Sequence, residues 1–225
     1  MPQYLSILLA LFFSAISLRA DLILEQQSSD TNRTRVTILK LHGDKLRMDQ
    51  PEDNFSVIID LSTRDSYTLL TTNKTYLKRL GSQVRRMMQE ERTATGGTNE
   101  VDARPALAVD TGRAETVNGS NTEIYTWSGA HGLTETLWVA REFPNYDAIR
   151  PELLKLDQFN ESGPHRNAQP ALSLLPGMVI KSESAIKGHK TTTTLVSVKV
   201  EPVDPSLFDL PADYKPYKPP EKKAP

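Results

Sequence analysis

The hydrophobic positions divide the chain into an apolar leader and a long series of short alternating runs. Residues 4–18 are almost wholly apolar, and the small Ala20 then precedes the polar Asp21. The apolar run is shorter than the roughly 20 residues that a helix needs to cross a bilayer. We therefore expect residues 1–20 to be a signal peptide and the exported protein, periplasmic or extracellular, to begin at Asp21. The alternative is an uncleaved anchor, because no Lys or Arg stands before the apolar run.

After the leader, a hydrophobic period of two predicts antiparallel strands joined by short turns. Residues 35–41 alternate in this way, and Gly43 marks a hairpin turn after them. Residues 55–61 predict a strand with one dry face and one wet face, the dry face holding Phe55, Val57, Ile59 and Leu61. Further strands are expected in residues 67–76, 114–141, 177–186 and 191–203, where Val196, Val198 and Val200 share a face.

Two segments change to a helical period. Residues 82–92 predict a short helix whose apolar side holds Val84, Met87 and Met88. Residues 143–159 predict a second helix with Pro151 at an early position and an apolar stripe of Ile149, Leu153, Leu154 and Leu156. Residues 94–104 lack apolar periodicity and predict a loop, and the Pro-rich and Lys-rich residues 215–225 predict a disordered tail.

Composition narrows the function classes. The chain of 225 residues has no Cys and a formal net charge of −1. Its length is sufficient to bury a core without disulfides or metals. The lack of Cys excludes thiolate zinc sites, thiol nucleophiles and acylation of a mature N-terminal Cys. The near-neutral charge argues against nucleic-acid partners, and no second apolar run approaches membrane-spanning length.

The residues that carry chemistry form no catalytic or metal-binding motif. The four His residues are scattered and lack the His-x-x-x-His spacing: His42, His131, His165 and His189. No Gly-x-Ser-x-Gly segment occurs, and the acidic pairs at residues 90–91 and 201–204 are expected on solvated positions. We therefore expect no catalytic residue, metal ligand or cofactor, and no enzymatic activity. A hydrolase assembled from dispersed residues is the weaker alternative.

Several turn and strand-end motifs resemble those of exported bacterial domains of unknown function. They are Leu175-Pro176-Gly177-Met178-Val179-Ile180, Val203-Asp204-Pro205-Ser206-Leu207-Phe208, Leu210-Pro211-Ala212-Asp213-Tyr214, Val117-Asn118-Gly119 with Tyr125, and Glu135-Thr136-Leu137-Trp138-Val139-Ala140. The fold of those domains is similar to that of the LolA and LolB lipoprotein carriers. The resemblance implies a single α+β, mainly β domain over residues 21–214, in which short helices cover a curved antiparallel half-barrel sheet. The loop at residues 94–104 departs from the pattern.

The same resemblance implies a non-enzymatic carrier-like or ligand-sequestering domain. Its ligand would be a lipid acyl chain, a lipoprotein or another apolar partner on the concave face of the sheet. The candidate binding residues are Phe55, Val57, Ile59, Leu61, Met87, Met88, Leu137 and Val139. The alternative is a structural or interaction module of the cell envelope, with a filled core and a protein partner on its exposed strands or tail.

Overall fold

The computed structural model describes residues 21–94, 107–129, 132–161 and 170–218. The strands in these residues are Leu22–Ser29 (β1), Thr34–His42 (β2), Lys45–Gln50 (β3), Phe55–Asp60 (β4), Ser66–Leu70 (β5), Thr75–Arg79 (β6), Val109–Val117 (β7), Ser120–Ser128 (β8), Thr134–Ala140 (β9), Met178–Ile186 (β10), His189–Val200 (β11) and Lys215–Pro216 (β12). The helices are Gly81–Ala94 (α1) and Tyr146–Glu161 (α2). The predicted signal peptide and nearly all of the predicted loop at residues 94–104 lie outside the described residues.

All these strands belong to one open sheet. Their order is β12-β6-β5-β4-β3-β2-β1-β11-β10-β9-β8-β7. The two halves of the chain meet in its middle, where β1 pairs antiparallel with β11 from Leu22 opposite Val200 to Ser29 opposite Thr192. The predicted mainly β, α+β class with a curved antiparallel sheet is confirmed. Within the described ranges, no helix is long and apolar enough to cross a membrane.

One face of the sheet carries α2, and we call it the α2 face. Leu22 and Leu41 in the central strands are at most 1% exposed and lie in one hydrophobic cluster with Ile149 and Leu153 of the helix, which we call the α2 cluster. The buried Asp157 near the end of the helix accepts hydrogen bonds from two backbone N–H groups, those of Leu172 at 3.1 Å and Ser173 at 2.7 Å. The segment at residues 172–175 is thereby fixed beside α2.

Two details of α2 differ from the prediction. The helix begins at Tyr146, so Pro151 lies inside it rather than at an early position. Because proline has no N–H, the carbonyl of Asp147 lacks its usual partner in the helix. Leu154 is 44% exposed and does not belong to the buried stripe. It follows Ile149 by five residues, which places it well around the helix from the core side.

The opposite face of β4 is also covered. Ile58 and Leu69 are at most 4% exposed and form a second cluster with Val203 and Phe208 of the C-terminal segment. Ser56 is buried on this side as well, and its hydroxyl donates to Asp49 at 2.7 Å. The predicted alternation of residues 55–61 is therefore right, but the expectation of a wet face is wrong.

The chain after residue 214 continues the sheet. The backbone N–H of Lys215 donates to the carbonyl of Lys74 at 3.0 Å, and that of Tyr217 donates to Tyr76 at 2.8 Å. β12 thus pairs in parallel with β6, whose edge would otherwise present unpaired backbone groups. The predicted disorder is wrong for residues 215–218, while residues 219–225 lie outside the described part of the chain.

The predicted hairpin of β10 and β11 is confirmed, with Ile186 opposite His189. The prediction that three valines of β11 share a face is wrong at Val196. The register of β1 and β11 shifts at this point, and Val196 is 53% exposed, whereas Val198 and Val200 pack against the α2 cluster. An irregularity of this kind adds a residue to one strand and so breaks the alternation.

Candidate ligand-binding surface on the α2 face

The α2 face extends beyond the residues that contact α2 as two rows of side chains. One row runs from β5 to β11 and consists of Leu70, Phe55, Gln50, Thr37, Gln26 and Leu195. The next row runs from β6 to β2 and consists of Leu77, Thr68, Val57, Met48 and Leu39. Paired residues on neighbouring strands point to the same side of a sheet, so each row forms a continuous strip of surface.

The part of these rows on β3–β6 is apolar. We call it the apolar end, and its residues are Met48, Phe55, Val57, Leu70 and Leu77. Among the described residues, these five side chains belong to none of the three hydrophobic clusters. Leu77 is 47% exposed, and the other four are half-buried. The apolar end is therefore partly exposed hydrophobic surface outside the described core clusters.

The part of the α2 face on β1, β10 and β11 is lined by hydroxyl groups. We call it the hydroxyl stripe, and its residues are Ser28, Ser182, Ser184, Thr191 and Thr193. Thr193 lies opposite both Ser28 and Ser182, and Ser184 lies opposite Thr191. The Ser28 Oγ and Thr193 Oγ1 atoms are 2.9 Å apart, which joins the two halves of the chain.

A carboxyl group of β9 borders the hydroxyl stripe. Glu135 of β9 is half-buried and lies opposite Ser184, with Ser182 on the same side of β10. Burial raises the pKa of Glu135 above its ordinary value, and the two serine hydroxyls only partly oppose this effect. On its other side Glu135 lies opposite Trp127, which is 2% exposed. The ionised carboxylate is therefore poorly solvated and gains from any further hydrogen-bond donor.

Amide and hydroxyl groups connect the two parts of the surface. The Gln50 Nε2 atom donates to Thr37 Oγ1 at 3.2 Å, and Thr37 lies opposite Gln26. Six strand spacings separate Phe55 on β4 from Glu135 on β9. At about 4.8 Å for each spacing, this corresponds to about 29 Å measured along the sheet. The surface thus changes from apolar to polar along one face of the sheet.

The residues predicted to bind a ligand separate into three groups. Phe55 and Val57 lie at the apolar end. Ile59 and Leu61 instead pack against the α2 cluster. Leu137 and Val139 are 0% exposed and form a third cluster with Leu175, so the chain itself occupies the surface next to them.

Met87 does not lie on the expected apolar side of α1. Met87 is 67% exposed, as its arginine neighbours are exposed. The side chain of Met88 lies outside the described part of the structure. Val84 is the half-buried member of the predicted trio. The candidate binding surface therefore consists of strand residues and includes none of the described side chains of α1.

Sequence reasoning missed the hydroxyl stripe and Glu135. A signal existed in the alternation of Ser182 with Ser184 and of Thr191 with Thr193, because residues two apart in a strand share a face. That Ser28 joins them follows from the pairing of β1 with β11, which spans most of the chain. No local motif predicts this pairing or the position of Glu135 opposite Ser184.

His42 lies beside a carboxylate and belongs to the protein's internal structure. His42 Nδ1 lies 3.0 Å from Asp21 Oδ2, and its ring stacks on Phe208 with 5.7 Å between centroids. Asp21 also accepts a hydrogen bond from the backbone of Val203. In the described ranges, no group of three or more His, Asp or Glu side chains is arranged to hold a metal ion.

Comparisons with known proteins give a family match and distant structural similarities. The family model described as "Domain of unknown function (DUF4412)" matches residues 86–214, which is more than half of the chain. Among curated proteins, none matches this sequence.

Three solved structures illustrate the distant similarities. An uncharacterized conserved protein from Thermus thermophilus is 8% identical, with a TM-score of 0.48 over 89% of this chain and 91% of that chain. PNGF-II is 13% identical, with a TM-score of 0.41 over 88% of this chain and 31% of its own, so this chain spans about a third of it. A LolA superfamily protein from Nitrosomonas europaea is 8% identical, with a TM-score of 0.32 over 84% and 89%. These scores are too low to carry an argument about the site.

Proposed function

We propose that this chain, which belongs to the DUF4412 family, is an exported, non-enzymatic carrier-like domain of the cell envelope that binds an amphiphile on its α2 face. The acyl chain of a lipid or of a lipidated partner lies along the apolar end. The polar part of the same molecule lies toward the hydroxyl stripe. The leader pattern of residues 1–20 supports export.

One observation carries this proposal: the apolar end is hydrophobic surface outside the described core clusters, and it is continuous with a polar strip on the same face. Transfer of apolar surface out of water is favourable by about 25 cal/mol per Å². An acyl chain on Phe55, Val57 and Leu70 would gain this free energy without displacing α2. The neighbouring amide and hydroxyl groups would remain available for hydrogen bonds.

The test is purification of the exported protein under non-denaturing conditions, followed by native mass spectrometry and solvent extraction. We expect a reproducible bound lipid in the wild-type protein and its loss in the V57D variant, because a carboxylate at the apolar end opposes burial of an acyl chain. V109D is the matched control. Val109 is 63% exposed on β7, at the far edge of the sheet, so this variant should retain the lipid.

Urea unfolding of both variants separates loss of the ligand from loss of the fold. The proposal would be contradicted by a wild-type protein that carries no lipid and does not bind added fatty acids or lysolipids. It would also be contradicted by a folded V57D variant that carries as much lipid as V109D.

A second candidate function is a protein-interaction module of the envelope, and the geometry of β7 favours it. β7 is the last strand of the sheet order, and its side chains are exposed from Val109 to Thr116. An edge of this length can pair with an extended segment of another protein. A lipid-free protein that forms a stoichiometric complex, lost when β7 is altered, would support this alternative.

A further inference from the structure

The hydroxyl stripe narrows the chemistry of the ligand's head group. We propose that the hydroxyl stripe and Glu135 form a head-group subsite that selects a neutral polyol head over an anionic one. This inference rests on the proposed function, because it concerns the polar part of the same amphiphile. It goes further by naming the class of head group and the residues that choose it.

The side chains of the stripe match a polyol in hydrogen-bonding capacity. Each Ser or Thr hydroxyl can donate one hydrogen bond and accept others. The hydroxyls of Ser28 and Thr193 already pair at 2.9 Å, which holds two of them in place on adjacent strands. Ser182 lies opposite Thr193, and Ser184 lies opposite Thr191, so donors and acceptors repeat along and across the strands. A head group with several hydroxyls can use this repeated pattern.

The charges around the stripe disfavour an anionic head. The residues of β1, β10 and β11 that carry the stripe contribute Gln, Ser and Thr to the α2 face at positions 26, 28, 182, 184, 191 and 193. The nearby Lys181 and Lys190 both contact Glu183, at 3.0 Å and 2.6 Å. These three residues alternate with the stripe along their strands and therefore belong to the opposite face.

Three further groups at the border of the stripe must be considered. Asp30 directly follows β1, and its carboxylate accepts hydrogen bonds from the backbone N–H groups of Asn32 and Arg33. Arg35 lies opposite Ser28 on β2, and its Nε atom is 3.2 Å from Asp53 Oδ2, a carboxylate that Arg33 also contacts at 3.2 Å. His189 lies at the exposed end of the hairpin, opposite Ile186. Glu135 is the carboxyl group that borders the stripe from β9. An anionic head would therefore meet the like charge of Glu135, whereas the Lys and Arg side chains named here already contact carboxylates.

The position of Glu135 explains why a polyol head group would bind favourably. Burial disfavours the ionised form of this carboxyl, and the hydroxyls of Ser182 and Ser184 only partly oppose this effect. Hydroxyls of a bound polyol can donate to the lone pairs of the carboxylate. A carboxylate or phosphate head cannot do so and would add repulsion at short distance.

The experiment compares three soluble amphiphiles that share one saturated chain length: monolaurin, laurate and dodecylamine. Binding to the whole exported protein is measured by titration calorimetry at neutral pH, below the concentrations at which the probes aggregate. We expect monolaurin to bind about tenfold more tightly than laurate, the difference typical of one hydrogen bond to a charged group. The S182A/S184A double variant should weaken monolaurin binding by about tenfold as well.

The E135Q variant tests the charge of the subsite. Glutamine keeps hydrogen-bonding atoms but removes the negative charge, so laurate binding should strengthen by about tenfold, while monolaurin binding should weaken because its hydroxyls lose a charged acceptor. E183Q is the matched control, because Glu183 lies on the same strand as Ser182 and Ser184 but on the opposite face. The ratio of the two affinities should not change in E183Q.

The outcomes separate the two proposals. If none of the probes binds, the proposed function fails and the head-group subsite fails with it. If all bind but laurate matches monolaurin, or E135Q leaves the ratio unchanged, the carrier function stands and the polyol subsite is refuted. If dodecylamine binds most tightly, the subsite prefers a cationic head group, and the inference is also overturned.

Discussion

The Asp21 carboxylate accepts a hydrogen bond of 2.7 Å from the backbone N–H of Val203, which lies 182 residues further along the chain. Both carboxylate oxygens also lie 3.0 Å from Nδ1 of His42. Asp21 is 5% exposed, so these protein groups replace much of the water around its charge. The first residue after the predicted signal peptide thereby joins the start of β1, the end of β2 and the C-terminal segment.

Replacement of Asp21 by Ala should destabilise the protein substantially. It leaves the buried N–H of Val203 without its acceptor and removes the partner of His42, at a cost of about 2–4 kcal/mol in the free energy of unfolding. Urea unfolding followed by circular dichroism measures this difference. The exposed Asp44 provides the control, since D44A should change stability by less than about 0.5 kcal/mol. Equal stability of D21A and D44A would contradict the role assigned to Asp21.

A second prediction concerns the close approach of β9 and β10. A Cβ atom on Gly177 would lie 2.1 Å from the carbonyl oxygen of Ala140 and 2.5 Å from its carbonyl carbon. Both contacts are with backbone atoms at the end of β9, which cannot turn aside as a side chain can. G177A should therefore prevent folding or cost more than about 3 kcal/mol, measured by soluble yield and urea unfolding.

Gly188 offers the matched control for this substitution. Its φ is +82° in the turn between β10 and β11, but a Cβ atom there would meet nothing within 4 Å. G188A should cost only the strain of a left-handed alanine, about 1–2 kcal/mol. If G177A were as stable as G188A, the approach of the two strands would have to be looser than the structure shows.

The Gly177 contact also shows how much the sequence could reveal. The motif at residues 175–180 and the motif at residues 135–140 carried the resemblance to a family of unknown function, which the family match confirms. In the structure they meet where Gly177 approaches Ala140. The alternation of short runs predicted antiparallel strands because pairing over short turns is a local property. The motifs thus identified these turns and strand ends correctly.

The parts that sequence did not predict depend on contacts between distant segments. Ile58 was expected on a wet face because its strand alternates, yet residues 203–214 return to cover it. Leu137 was expected next to a ligand because the resemblance implied a binding site on the concave face of the sheet, yet Leu175 packs there. Ser28 and Thr193 are joined only by the pairing of the first and penultimate described strands. A pattern along one strand does not say which segment will cover it.

Leu137 and Val57 were both predicted ligand residues, and alanine substitutions should now separate them. Leu137 is 0% exposed, so L137A should cost about 2–5 kcal/mol through lost burial and a residual cavity. Val57 is half-buried at the apolar end, so V57A should cost about 1 kcal/mol or less. Urea unfolding of the lipid-free proteins measures both. A V57A variant as unstable as L137A would show that Val57 is a core residue rather than part of an open surface.

The final prediction concerns the dependence of stability on pH at Glu135. Its pKa is raised in the folded state from the ordinary value of 4.5, mainly because burial disfavours the carboxylate. As pH rises above 4.5, the unfolded chain ionises first and is favoured. Relative to E135Q, the wild-type protein should therefore lose stability as pH rises from 4.5 to the folded-state pKa and then reach a plateau. Urea midpoints of both proteins across this range measure the difference.

The E183Q variant supplies a control with the opposite sign. Hydrogen bonds from Lys190 and Lys181 lower the pKa of Glu183 in the folded state below its ordinary value of 4.5. The stability that Glu183 contributes is therefore present above 4.5 and is lost as pH falls through the folded-state pKa. Groups common to all three proteins, such as Asp49 and Asp60, cancel when each variant is compared with the wild type. A wild-type protein that gains stability relative to E135Q as pH rises would show that Glu135 is solvated, and the head-group subsite would lose its poorly solvated carboxylate.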